Sequence, residues 1–212
     1  MDGLKKEAHC AIIAGATACG KTEFVLNLLE TEYKDVFDYI IIVCPTWRHN
    51  KTYLKRQWLF QDPEHIYLVD PEELLPKSKD SLNDTLKVFF ESIGKLDDSQ
   101  VLFLIDDCSA QKGMTKKKQM LSQLAFSGRH LNCSVWILTQ KYNSVLTDLR
   151  EQIKWLALFY CKDRDSFDNA LRENDVIPTF EERREMRLLL SKHKHSKLIL
   201  ITEQPTSYHF LM

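Results

Sequence analysis

Eight consecutive residues, Gly15-Ala16-Thr17-Ala18-Cys19-Gly20-Lys21-Thr22, carry the clearest chemistry in the chain. They fill the pattern G-x-x-x-x-G-K-[ST], and the apolar run 9–14 before them reads as a buried strand. A loop passing from a strand into a helix N-terminus turns successive backbone N–H groups toward one point. That arrangement is a nest for phosphate oxygens. Gly15 and Gly20 supply torsions and a close approach that a side chain would block. In this pattern Lys21 reaches the β- and γ-phosphates of a nucleotide, and the Thr22 hydroxyl ligates Mg²⁺. Glycine is scarce, 6 in 212 residues, yet two of the six fall on the required positions, which disfavours an accidental match.

Two strand ends extend this chemistry toward hydrolysis. Val101–Ile105 is an apolar run that delivers the acid pair Asp106-Asp107. Asp106, at the strand end, would hold Mg²⁺ directly or through its waters. Asp107, one residue on, could orient or deprotonate an attacking water. Cys133–Thr139 is a second apolar run, followed by Gln140. In a doubly wound sheet ligands bind at the carboxyl ends of strands, which would put Gln140 near a γ-phosphate. A solvated acid pair and a Gln opening a surface loop are the plain alternatives; after a phosphate loop the functional reading is favoured.

The elements that must position these residues are legible as alternating apolar runs and amphipathic segments. Strands are predicted at 9–14, 39–44, 65–69, Val101–Ile105, Cys133–Thr139, 155–160 and 197–202. Helices are predicted at Lys21–Glu30, 82–93, 116–127, 166–173 and 181–190, with Thr115 as the N-cap of the third. Most strands are continuously apolar, as strands covered on both faces of a parallel sheet must be. The expectation is an α/β three-layer sandwich with a mostly parallel central sheet. The stretch 45–61 is irregular and rich in bases and aromatics (Trp47, Arg48, Tyr53, Arg56, Trp58). It could serve nucleic acid or a neighbouring subunit, or be a surface segment with aromatic anchors.

Composition sets limits. The hydrophobic share of 44% and charged share of 28% suit a globular protein of 212 residues. Net charge is −1, so any nucleic-acid contact must come from a local patch. No apolar run approaches the roughly 20 residues of a membrane span, and the N-terminus has no signal-peptide core. Six scattered cysteines without a C-x-x-C pair suit a reducing compartment. The segment 111–118 carries Lys112, Lys116, Lys117 and Lys118, candidates for tracking DNA phosphates or simply a solvated helix start. His193-Lys194-His195 reads as a solvated turn.

Taken together, Gly15–Thr22, Leu104-Ile105-Asp106-Asp107, Gly128-Arg129-His130 and Leu138-Thr139-Gln140 resemble the FtsK/HerA superfamily of ring ATPases. The similarity is greatest to its viral genome-packaging branch, found in poxviruses, other large DNA viruses, virophages and Polinton (Maverick) elements. It spans roughly residues 10–160. The resemblance implies an ASCE/RecA-like P-loop NTPase forming one domain over 1–212, with its core at about 9–160 and C-terminal helices and a strand at about 161–212. It implies ATP and Mg²⁺ as ligands, with Lys21 and Thr22 on the nucleotide and Mg²⁺ and Asp106 completing the metal site. Asp107 would be the catalytic carboxylate and Gln140 the γ-phosphate sensor. Arg129 would be the arginine finger acting across a subunit interface, with Arg150 as its competitor. Two departures stand out: Ala16 and Ala18 occupy places where Pro and Gly often occur, and Asp107 replaces a common Glu.

The implied activity is an ATP-driven double-stranded DNA translocase that packages a viral or virus-like genome into a capsid. It would work as a homo-oligomeric ring with capsid proteins as partners, without a membrane, inside the host cytoplasm or nucleus or with the virion. A small P-loop nucleoside or nucleotide kinase, with Arg183, Arg184 and Arg187 as a lid, is the first rival; a non-motor nucleotide-binding assembly factor is the second. No N-K-x-D or L-S-G-G-Q motif is present, which disfavours GTPase and ABC-type readings. A phage-type terminase would need a nuclease domain, and about fifty residues past Tyr160 leave no room for one.

Overall fold

The computed structural model describes residues 4, 6–93, 98–108 and 119–212. One sheet runs through them in the strand order β3-β2-β4-β5-β1-β6-β7-β8. The parallel strands are β1 (Cys10–Ala14), β2 (Tyr39–Val43), β3 (Ile66–Val69), β4 (Val101–Ile105), β5 (Cys133–Thr139) and β6 (Ile153–Phe159). β7 (Lys197–Ile201) and β8 (Ser207–Leu211) continue the sheet antiparallel to them. The fold is therefore the expected α/β arrangement with a mostly parallel sheet.

Why the strands were readable follows from their burial. β1, β4 and β5 are buried at every residue, so both pleat faces demand apolar side chains. Alternate residues of β1 feed opposite layers. Ile12 and Ala14 join the core beneath α4 (Ser81–Ile93), α5 (Gln119–Ser127) and α7 (Arg164–Asn174), whereas Ala11 and Ile13 join the core beneath α1 (Lys21–Glu30). α8 (Phe180–Lys192) follows α7 and adds Leu190 to the first layer.

Two elements differ from the sequence expectation. β8 was not foreseen, because Ser207–Leu211 is an edge strand, half-buried, with Tyr208 40% exposed and no continuous apolar run. The irregular stretch 45–61 folds into short helical turns, Trp47–His49, α2 (Lys51–Leu54) and Gln57–Phe60, with α3 (Pro71–Leu74) after β3. Tyr53 and Leu59 are fully buried there, Trp58 donates to Glu30, and Arg56 bonds Glu23, Asn27 and Glu30 on α1. The aromatics and Arg56 thus act as anchors that fasten this segment to α1. The third predicted helix is present as α5 from Gln119; Thr115 and Lys116–118 lie outside the described residues. Between β5 and β6 the chain makes one further short helix, α6 (Thr147–Arg150).

At the N-terminal end of β1 sits His9, with no exposed surface. Its Nε2 accepts from the indoles of Trp136 (2.9 Å) and Trp155 (3.0 Å). Its Nδ1 lies 2.6 Å from the Glu7 carbonyl, which can only accept. The ring is therefore neutral, with its proton on Nδ1. Strands β1, β5 and β6 are fastened to one another by a single imidazole.

Candidate active site

The opposite end of β1 leads into the phosphate loop. Gly15 N–H donates to the Thr139 carbonyl and Ala16 N–H to the Tyr160 carbonyl, both at 3.1 Å, so the loop hangs from the ends of β5 and β6. A Cβ at position 15 would lie 2.5 Å from the Cβ of Phe159, so only glycine allows this approach. Gly20 sits at φ 100° and opens α1 without a side-chain cap, which leaves the first-turn N–H groups facing the cavity mouth. Ala18 adopts φ 59°, a left-handed torsion that an L-alanine disfavours, at the position where related loops often carry Gly.

Lys21, Thr22, Asp106, Asp107 and Gln140 meet at one cavity of about 450 Å³, together with Thr17, Ala18 and Gly20. Lys21 Nζ donates to the carbonyls of Gly15 (2.8 Å) and Ala16 (3.0 Å), folding the ammonium over the loop. Gly15, Ala16 and Cys19 do not line the cavity; they shape the loop behind it.

Asp106 continues β4, with its N–H on the Val43 carbonyl at 2.9 Å. Its side chain is 5% exposed. Thr22 Oγ1 (2.8 Å) and the Tyr53 hydroxyl (2.7 Å) both donate to its Oδ2. Burial pushes the Asp106 carboxyl above the ordinary carboxylate range, against the pull of the Tyr53 and Thr22 hydrogen bonds. Nearby Asp107 raises it further, and Lys21 lowers it. Asp107 leaves the strand at φ 54°, which swings its carboxylate outward; it is exposed, and its Oδ2 accepts from Thr46 at 3.1 Å. Gln140 stands exposed on the cavity wall.

The backbone at Arg129 lies away from this cavity. It belongs to the turn Gly128–Leu131, which precedes β5 and so lies at the strand end opposite Gln140. Seven residues of strand separate the two ends by roughly 20 Å. Arg150 is engaged within its own chain: its guanidinium contacts both oxygens of Glu173 and covers the Tyr142 ring at 5.2 Å. Lys112, Lys116, Lys117 and Lys118 lie outside the described residues.

Sequence reasoning missed several residues of the site. Asn50 and Thr52 line the cavity, and Tyr53, fully buried, holds Asp106 from behind it; all three come from the irregular segment after β2, where no local pattern marks them. Residues 193–195 form an exposed turn between α8 and β7, as the sequence suggests, and His195 reaches the cavity from it. Exposed and at φ 68°, it still lines the cavity, and its Nδ1 lies 3.0 Å from the Cys19 carbonyl, 176 positions away in sequence. Only the antiparallel return of β7 puts it there, so no local signal announces it.

Comparison with known proteins places these features in a family. The family model described as Poxvirus A32 protein matches residues 1–207. The DNA packaging protein OPG160 of Monkeypox virus is 24% identical over 210 residues, which are 95% of this chain; the chain spans 64% of that relative's length. Among solved structures, B204, the DNA-packaging ATPase of Sulfolobus turreted icosahedral virus, superposes with a TM-score of 0.67 at 14% identity over 98% of both chains. The B204 genome-packaging NTPase of Sulfolobus turreted icosahedral virus 2, in complex with ATP-gammaS, gives 0.63 at 13% identity over 99% of this chain and 98% of that one. The N-terminal domain of zonular occludens toxin from Neisseria meningitidis gives 0.51 at 14% identity, over 97% and 94%. The structural similarities show that the chain shares the fold of these proteins.

Proposed function

The chain belongs to the Poxvirus A32 protein family, and from that membership and its cavity we propose that it is an ATP-hydrolysing motor that drives double-stranded DNA into a capsid. The observation that carries this reading is the junction of Thr22, Asp106 and Tyr53. It ties the phosphate loop to the acid pair through one buried carboxylate oxygen. Residues 1–212 act as one ATPase domain in this reading, working inside the host cell or with the virion. Among the described residues no helix is long and apolar enough to cross a membrane.

The residues fit a magnesium nucleotide. Thr22 Oγ1 and Asp106 offer hard oxygen donors 2.8 Å apart, the chemistry Mg²⁺ selects, and few protein ligands suffice because Mg²⁺ keeps several waters. Bound there, the ion would offset phosphate charge. Gly20 and the first turn of α1 present N–H groups to the phosphates, and Lys21 exchanges its two carbonyl partners for phosphate oxygens. Asp107, exposed and turned outward, receives the proton of the attacking water, and Gln140 orients that water. Arg129, whose backbone lies away from its own cavity, serves a neighbouring copy across a ring interface, an arrangement worth roughly 10³–10⁵ in rate where such arginines act. Lys112, Lys116, Lys117 and Lys118 track DNA phosphates, and capsid proteins receive the ring.

The kinase alternative is disfavoured. Arg183, Arg184 and Arg187 do not line the phosphate-loop cavity but a separate groove. The deciding experiment is ATP turnover with and without duplex DNA, measured alongside particle mass. The motor reading expects turnover to rise with both DNA and ring assembly; phosphate release indifferent to both would sink it.

A further inference from the structure

Helices α7 and α8 enclose a groove of about 530 Å³ that shares no residue with the phosphate-loop cavity. Five arginines line it: Arg164 and Arg172 from α7, and Arg183, Arg184 and Arg187 from α8. Asp168 is the one carboxylate in the lining, so the groove carries a surplus of four positive charges on a chain whose net charge is −1. Such a concentration costs folding energy through self-repulsion and has no core to fill, which is the mark of a polyanion site.

Two of the five are engaged within the chain: Arg172 donates to Asn169 Oδ1 on its own helix, and Arg183 closes a turn. Arg183 donates to the carbonyls of Ile177 and Pro178 and reaches Asp175 at 3.5 Å, closing the α7–α8 turn. The four besides Arg183 make no ion pair with a described residue, and the Nε of Arg187 is buried without a hydrogen-bond partner among the described residues. A buried cationic donor left unpaired is costly unless an anion completes it.

We propose that this groove binds the phosphodiester backbone of duplex DNA, a second contact zone beside the predicted lysine segment. The inference rests on the motor reading and adds to it where the DNA lies. Arg184 and Arg187 are three apart on one helix face, and Arg164 and Arg172 are eight apart, roughly 12 Å along the facing helix. Guanidinium groups on both walls match phosphate oxygens bidentately. No side-chain amide or hydroxyl lines the groove, so it has none of the groups that read base edges. Phe180 and Leu188, 68% and 49% exposed, provide apolar shoulders against which deoxyribose faces rest. A motor that moves any sequence needs this kind of contact.

The test is fluorescence anisotropy of a 30-base-pair labelled duplex, titrated at several salt concentrations. Native chain is compared with Arg164→Ala/Arg172→Ala/Arg184→Ala, three exposed positions, and with the single Arg184→Glu. Melting temperatures check that each variant folds. The expected result is a loss of at least tenfold in affinity and a fall of about three in the salt slope for the triple variant. Unchanged affinity and slope in folded variants, with native binding intact, would overturn the groove while leaving the motor reading standing. No duplex binding by the native chain would overturn the motor reading, and this proposal with it. Poly-L-glutamate bound by the native chain and lost in the triple variant, with duplex affinity unchanged, would assign the groove to an acidic protein partner and overturn the proposal.

Discussion

His9 and Asp106 are both buried polar residues at the ends of central strands, yet they are treated in opposite ways. Each is pinned by donors from aromatic side chains: two indoles on His9, a phenol on Asp106. At His9 every ring nitrogen is consumed by the protein, at a site closed to solvent. At Asp106 both donors converge on Oδ2, and the residue lines an open cavity. The first arrangement is complete and serves cohesion. The second carries a burial cost that its partners only partly offset, and what it holds back is capacity for a ligand.

The sharpest way to break this contrast is Asp106→Asn. Asn keeps an acceptor for Thr22 and Tyr53 but removes the buried charge. ATP turnover should fall by 10² or more, as phosphate release will show, while stability at neutral pH should rise by about 1 kcal/mol. The sign follows from the raised carboxyl. Between the ordinary value of 3.8 and its raised one, the folded chain holds a proton that the unfolded chain releases, so stability falls as pH rises through that window. A loss of stability in the variant would mean that ionised Asp106 is a net support and the contrast is wrong.

Next in size is Asp107→Asn, which should bind a fluorescent ATP analogue as the native chain does yet turn over at least tenfold more slowly. His9→Leu tests the other end. It orphans two buried indole N–H groups and should cost about 3 kcal/mol in urea unfolding. A cost under 1 kcal/mol would show that the indoles find other partners and that His9 is no lock. Tyr53→Phe removes one donor from a buried carboxylate and should cost about 1.5 kcal/mol. The lost hydrogen bond lowers the Asp106 carboxyl, so its removal moves the acid limb of the turnover profile to higher pH. The smallest effect is Ala18→Gly, where relief of the φ 59° torsion competes with added unfolded-state entropy, for a net change within about 1 kcal/mol by thermal melting.

How much of this was legible in sequence depends on whether the signal is local. β4 and β5 could be read to the residue because both faces are buried, and Lys21, Thr22 and Asp106 could be placed because strand-then-loop spacing fixes them. Tyr53 could not, since a phenol in an irregular segment is meaningful only once β2 and β4 are neighbours. The same holds for the arginine groove. In sequence Arg183, Arg184 and Arg187 suggest at most a kinase lid; the groove exists only because α7 brings Arg164 and Arg172 opposite them. β8 escaped because a half-exposed edge strand does not need the continuous apolar run that marks a central one.

The bond between His195 and the Cys19 carbonyl bears on how the chain is made. The octapeptide is made well before the residues that hold it: its loop hangs from residues 139 and 160 and is touched by residue 195. At ordinary synthesis rates, the phosphate loop must wait roughly ten to thirty-five seconds for its last neighbour to emerge. Over that interval a nascent chain presents a loop that still lacks these partners. The loop's full set of contacts is therefore complete only once residue 195 has been made, however early its own eight residues emerge.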